Sequence, residues 1–296
     1  MDSETTLSRL AQAWADHGRH FGQYEYVYPV VSRRAGGISL GINLNPDLHC
    51  NFDCPYCQVD RTVAPESLPT FSLEKLREEL ERALGHWANN RFTDSPRFEG
   101  LAPEQLDLKD LCLSGDGEST MIPEFGSVCA LLADLQAMLP PPMVKLVLIT
   151  NATLLHQPKV RAGLRSLTSH LGEIWGKLDA GTDSWFQSLS RSRYNIEHIE
   201  KNLTMTVRDF PLRIQTMLCT LDGQLPSPEE IAAYATRLRR IQAANPANLL
   251  EVQLYTVVRR TSTDTVAPVP GTFLEETAAW LRSQINVPVE AYWDKK

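Results

Sequence analysis

No stretch of the 296-residue chain approaches the roughly 20 consecutive apolar residues that a membrane-crossing helix needs. The opening residues, MDSETTLSRL, lack the basic start and apolar centre of an export signal, so the expected compartment is the cytoplasm and no membrane partner is expected. Positive charge is short as well. Lys and Arg number 29 against 36 for Asp and Glu, and the resulting net charge of -7 suits a phosphate backbone poorly, which disfavours a nucleic-acid partner without excluding it. Internal repeats, low-complexity tracts and linkers that would cut the chain in two are also missing. What is present is 43% hydrophobic and 22% charged residues, enough to bury a substantial core. Six cysteines in a chain without an export signal should be reduced thiols, so their spacing needs an explanation other than disulfides.

Along the chain, an amphipathic helix over 7–14 precedes an extended segment over 26–31, a turn at Ala35-Gly36-Gly37 and a buried strand over 38–44. Ser72 can cap a helix that runs to about Ala88 on the spacing of Leu73, Leu76, Leu80, Ala83, Leu84 and Trp87. Strand and helix patterns then alternate: strands over 106–113, 144–149, 173–178, 212–218 and 249–257, with helical patterns between them and a last helix from Phe273. The helix from Glu229 is the best signed, with Ser227 as N-cap, Pro228 in the first turn and Glu230 completing a capping box. About six βα units follow, compatible with an open barrel and equally with an open doubly-wound sheet. The polar, Pro- and Gly-bearing stretch over 89–103 is a candidate lid.

Three of the cysteines, Cys50, Cys54 and Cys57, fall within eight residues on the loop after the 38–44 strand. A tetrahedral zinc site would want a fourth ligand and a second Cys or His pair farther on, which this chain lacks. Three thiolates on a four-iron four-sulfur cluster instead leave one iron open to a further molecule. Burial as ordinary small side chains fits poorly with neighbours such as Asn51, Asp53 and Pro55. Cys112, Cys129 and Cys219 are scattered through apolar patterns and read as packed thiols.

C-x3-C-x2-C with Tyr56 before its last cysteine, placed after the first strand of a βα series, resembles the signature of the radical S-adenosylmethionine (SAM) superfamily. The resemblance implies an α/β fold of the partial (β/α)6 TIM-like barrel type over 38–296, with residues 1–37 as a short N-terminal helix and hairpin extension. It implies a 4Fe-4S cluster on Cys50, Cys54 and Cys57, SAM on the open iron, an external electron donor such as flavodoxin or ferredoxin, and hydrogen abstraction from a small-molecule or peptide substrate by a 5′-deoxyadenosyl radical. Tyr56 would adjoin the cofactor. The segment Gly115-Asp116-Gly117-Glu118 at the end of the second strand resembles the superfamily's Gly-Gly-Glu segment, with Asp116 at its centre. By pattern, this segment, Leu178-Asp179-Ala180 and the stretch over 252–259 look closest to the wyosine-synthase-like group, which brings in tRNA base modification as an alternative. Two further readings stay open: an activase that generates a radical on a partner protein, and a zinc-stabilised binding module with no enzymatic activity.

Polar residues at the carboxyl ends of parallel strands face a barrel's site. Asn151, Lys177, Asp179 and Gln215 are therefore candidates for the cofactor, although Asn151 reads equally as a helix cap and Lys177 with Asp179 as a local ion pair. Arg191, Arg193, Gln253, Tyr255 and Arg259 are candidates for the substrate, with Arg191 and Arg193 expected to converge with Arg259-Arg260 on the barrel mouth; edge-strand polarity explains Gln215, Gln253, Tyr255 and Arg259 nearly as well. The glycine signature that many superfamily members carry on the fifth strand is not evident over 213–219.

Overall fold

The computed structural model describes residues 21–293 apart from 22, 33, 63–69, 90, 91, 93–95, 141–143 and 260, so the helix expected over 7–14 lies outside the described residues. Its main sheet opens with β1 (Val27–Ser32) antiparallel to β2 (Gly37–Ile42). Parallel strands β3 (Leu108–Leu113), β4 (Lys145–Thr150), β5 (Gly172–Lys177) and β6 (Leu212–Met217) follow in order. A short β7 (Cys219–Leu221) leaves the sheet to pair with β9 (Val266–Pro268), while β8 (Leu249–Tyr255) and β10 (Val289–Tyr292) complete it. The helices are α1 (Leu73–Ala88), α2 (Phe125–Met138), α3 (Pro158–Leu167), α4 (Asp183–Ser190), α5 (Ile196–Asp209), α6 (Pro228–Ala244) and α7 (Gly271–Arg282). The sheet curls into a half-barrel, the partial TIM barrel that the βα alternation and the motifs together imply.

Alternation along the strands gives its two faces different uses. Leu40, Leu111, Leu148, Ile174, Ile214 and Leu254 are fully buried in one continuous core with the helices. Each such side chain is worth about 1.5–3 kcal/mol of transfer from water. The other face carries Ser39, Asp110, Glu173, Arg213, Gln215, Glu251 and Gln253, all buried or half-buried, beside a small apolar cluster of Cys112, Val147 and Trp175. Such a lining is satisfied from within. Glu173 accepts from Lys145 Nζ at 2.7 Å, Arg213 Nε at 2.6 Å and Trp175 Nε1 at 3.1 Å, while Arg213 also donates to Glu251.

Burial alone would push the Glu173 carboxyl up, but Arg213 and Lys145 hold it down to about 2 against an ordinary 4.5. A depressed carboxyl stabilises the folded chain above its unfolded value and loses that contribution as pH falls through the folded one. Stability against urea should therefore fall from about pH 4.5 toward pH 2, by at most about 3 kcal/mol from this group. In Glu173→Gln that acid limb should be flatter; an unchanged pH profile would contradict the assignment.

Three elements differ from expectation. The sheet has a further parallel strand, β10. The helical pattern ending near residue 207 is two helices, because Arg191 closes α4 in the left-handed region at φ 46. Of the candidate lid, Arg97 donates to the Pro29 carbonyl at 3.3 Å and Phe98 is buried beside Phe21 and Phe92, which places that segment against the β1 side.

Candidate functional site

The carboxyl ends of the parallel strands gather the polar side chains. Beyond β2, Asn43 turns the chain into the cysteine loop and also orders the next loop. Its Oδ1 accepts the amides of Asn45 at 3.1 Å and Asp116 at 3.0 Å, and its Nδ2 donates to Asp116 Oδ2 at 2.5 Å. Pro55 and Tyr56 form a tight turn in which the Cys57 amide donates to the Cys54 carbonyl at 2.9 Å, so the last two thiols share one edge of the loop. Cys50, Cys54 and Cys57 are each part-exposed and face a cavity of about 280 Å³. Cys112, Cys129 and Cys219 are buried elsewhere.

The loop after β3 lines the same cavity through Gly115, Gly117 and Glu118. Its glycines serve a close approach. A Cβ on Gly117 would stand 1.9 Å from the His49 carbonyl, and one on Gly115 2.3 Å from Asn43 Oδ1. Asp116 turns to Asn43 and does not line the cavity. Glu118 is buried and held from several sides: Thr120 Oγ1 donates at 2.6 Å, Thr150 Oγ1 at 2.7 Å and the Asn151 amide at 2.7 Å. Burial raises its carboxyl and these donors work against that rise.

Asn151 lines the cavity and joins the strand ends to the cysteine loop, donating to Asn51 Oδ1 at 2.6 Å while accepting from the Thr153 amide at 3.1 Å. The turn it makes forces Ala152, a fully buried residue, to φ 65, which is strained for a side chain with a Cβ. Lys177 reaches the cavity from β5. It donates to Tyr255 Oη at 2.5 Å and stands 5.0 Å over the Tyr56 ring and 5.2 Å over that of Tyr255. Burial works against its charge, but Asp179 and Tyr255 raise its affinity for the proton overall.

Asp179 is not a free ligand. Its Oδ2 accepts from Tyr56 Oη at 2.5 Å and its Oδ1 from the Met217 amide at 2.8 Å, so it fastens the cysteine loop to the barrel; Lys177 Nζ is 3.7 Å away. Gln215 and Gln253 bond each other at 3.1 Å, deeper in the barrel than the cavity lining. The two arginine groups do not converge. Arg259 lines the cavity, whereas Arg191 faces Asp53 at 3.9 Å and lines a neighbouring cavity that shares Cys50 and Arg61 with it, and Arg193 lies over the Tyr194 ring; Arg260 lies outside the described residues. Glu230, expected in a capping box, instead turns its carboxylate to the loop after β5, accepting the Gly181 and Thr182 amides.

Arg61 escapes motif reasoning because it lies four residues beyond the last cysteine. Its Nη1 donates to Cys57 Sγ at 3.3 Å and its Nη2 to the Asp116 carbonyl at 2.5 Å, bridging the two loops. The Phe52 and Val59 amides donate to the sulfurs of Cys50 and Cys57, each at 3.5 Å. Burial raises the Cys50 and Cys54 thiols. Among the described residues, no three His, Cys, Asp or Glu side chains are gathered closely enough to hold a single metal ion.

No family model matches the chain. A UPF0026 protein of Methanocaldococcus jannaschii is 31% identical over 135 residues, which is 45% of this chain and 35% of that protein. The chain spans about a third of the length of the curated relatives it matches. Among solved structures, a radical SAM methyltransferase from Sphaerobacter thermophilus superposes over 91% of this chain and 70% of its own, with TM-score 0.60 and 12% identity. SuiB of Streptococcus suis bound to S-adenosylmethionine covers 89% of this chain and 53% of its own, with TM-score 0.57 and 13% identity. At these identities the likeness to radical SAM enzymes is one of fold.

Proposed function

We propose that the chain is a radical SAM enzyme acting on a small-molecule or peptide substrate. The observation that carries this reading is that three thiols from one loop line a single cavity together with Gly115, Gly117 and Glu118, at the carboxyl end of a partial barrel. The donor set fits a polynuclear cluster better than a single ion: three thiols face a shared cavity without closing on one point, and two of the sulfurs already accept N–H donors of the kind that stabilise cluster thiolates. Solved SuiB structures, one with S-adenosylmethionine and one with the precursor peptide SuiA, support the cofactor and a peptide substrate by likeness of fold.

Cys50, Cys54 and Cys57 would hold a 4Fe-4S cluster. Such a cluster, reduced by an external donor, would supply the electron for reductive cleavage of SAM. The chain's own contribution is placement. Arg61 and the Phe52 and Val59 amides offset negative charge on the sulfurs, the glycine loop admits a ligand close to backbone, and Glu118, pinned by Thr120 and Thr150, offers fixed negative charge to an ammonium group. Lys177 presents positive charge to the same cavity. Tyr56, Phe52 and Ile149 keep the cavity's flanks apolar and limit water.

Anaerobic reconstitution with iron and sulfide, followed by reductant and SAM, should give an iron-sulfur chromophore and 5′-deoxyadenosine. Metal analysis showing zinc in place of iron after anaerobic purification, or no 5′-deoxyadenosine under any reducing condition, would overturn the reading.

A further inference from the structure

The two edges of a half-barrel face each other across a seam, and here the seam is a second cavity. It measures about 130 Å³ and lies between the β1 end with its following turn and the ends of β8 and β10. Tyr56, Gln58 and Arg259 line both this cavity and the one the cysteines face, so the two adjoin. Arg34, from the turn between β1 and β2, reaches into the seam. Its guanidinium lies 5.3 Å from the Tyr255 ring centre and 5.7 Å from that of Trp175. The side chain is part of the cavity lining, and its Nη1 is buried with no hydrogen-bond partner among the described residues. An unsatisfied buried donor on a charged group is costly, on the order of 1–3 kcal/mol or more, and is a common mark of a ligand position.

The walls decide what that ligand is. Among the described residues no Asp or Glu lines the seam cavity, while two guanidinium groups do. Asp110, the acid that feels the charge of Arg34, is not in the lining and accepts from Ser39 Oγ at 2.5 Å. Met217, Val257, Tyr255 and Tyr292 add flat or apolar surface, beside the uncharged polar side chains of Ser32, Gln58 and Thr256. The volume is close to that of cavities that hold a benzene-sized body, roughly 150 Å³. We infer that the seam cavity binds a small carboxylate with a flat or apolar body, its carboxylate held by the guanidinium fork of Arg34. This deepens the radical SAM reading by naming a substrate class and rests on it for the purpose of the site: a substrate fixed there stands beside the cofactor cavity with its anionic end outward at the seam. An arginine is suited to the task because its planar donors match a carboxylate bidentately.

Benzoate and its neutral isostere benzamide are the probes, titrated into the full chain with and without reconstituted cluster and followed by calorimetry. Benzoate should bind at least tenfold more tightly than benzamide, and Arg34→Gln should lose at least tenfold in benzoate affinity with little change for benzamide. Ser32→Glu leaves Arg34 in place but puts a competing carboxylate into the same cavity, and it should lose benzoate affinity to a similar extent while melting as the parent does. Equal binding of the two probes, or undiminished benzoate binding in both variants, overturns the inference. So does displacement of benzoate by inorganic phosphate at equal concentration, which would make the seam a general anion site, or loss of SAM binding in Arg34→Gln, which would assign the guanidinium to the cofactor. Because the titration also works without the cluster, failure of the radical SAM reading shows separately, in iron content and 5′-deoxyadenosine.

Discussion

Cys50→Ala, Cys54→Ala and Cys57→Ala should each yield a folded chain that retains no stable iron-sulfur chromophore and forms 5′-deoxyadenosine at a rate lower by on the order of 10³-fold or more, because ligands that act as one unit fail together. The stability cost should be small. All three thiols are part-exposed on a loop whose shape is set by other contacts, namely the turn bond from Cys57 to Cys54, the Tyr56 to Asp179 anchor and the Asn51 to Asn151 bond. The opposite pattern is expected for Cys129→Ala. Cys129 is fully buried in α2, so its removal opens a small void and should lower stability by about 1–2 kcal/mol while iron content and SAM cleavage persist. Iron determination, the visible absorption spectrum and thermal melting on the four variants separate the two outcomes. Equal iron in loop and core variants would remove the loop thiols from the proposed centre.

The division of the six cysteines was legible in the sequence because it depends on local spacing, and so was most of the barrel. Strand alternation places Leu40, Leu111 and Leu148 outward under the helices, and no other register buries them. Asn151 and Lys177 could be assigned to the cavity side from their places at strand ends. What could not be read depends on which distant segments meet. Asp179 has the position of a ligand, yet whether it is spent on Tyr56, 123 residues away in the chain, is decided by how the cysteine loop folds back. Glu230 obeys the capping-box spacing, but two amides at Gly181 and Thr182 compete for its carboxylate and win. Arg34 sits in a turn, where an arginine ordinarily faces solvent; only the curl of the sheet, which brings β10 and β1 to the same seam, turns it inward. Arg61 is illegible for the same reason, since its two partners come from different loops.

Gly117→Ala should be the most damaging single substitution outside the cysteines. The added methyl would stand 1.9 Å from the His49 carbonyl oxygen and 2.6 Å from Asn45 Cβ, and the first of these is backbone that no rotamer change can move. The glycine loop and the cysteine loop must therefore separate, breaking the bond from the Glu118 amide to His49 at 3.4 Å and tilting Glu118 away from Thr150 and Thr120. Overpacking of this kind costs typically about 1–3 kcal/mol, and here the displaced segment is also a cavity wall. A lower melting temperature and at least a tenfold weaker SAM affinity, measured anaerobically by equilibrium dialysis, are the expected results. Gly115→Ala should be milder but not silent: the nearest atom, Asn43 Oδ1 at 2.3 Å, can rotate away at the loss of its bonds to Asp116, whereas Asn43 Cα at 2.8 Å is backbone and must shift. Gly85→Ala is the control. No atom lies within 4 Å of its Cβ position in α1, so the methyl meets open space and should stabilise the helix by up to about 1 kcal/mol. If Gly117→Ala melted and bound SAM as the parent does, the apposition of the two loops would not be what shapes the cavity, and the role proposed for Glu118 would fall with it.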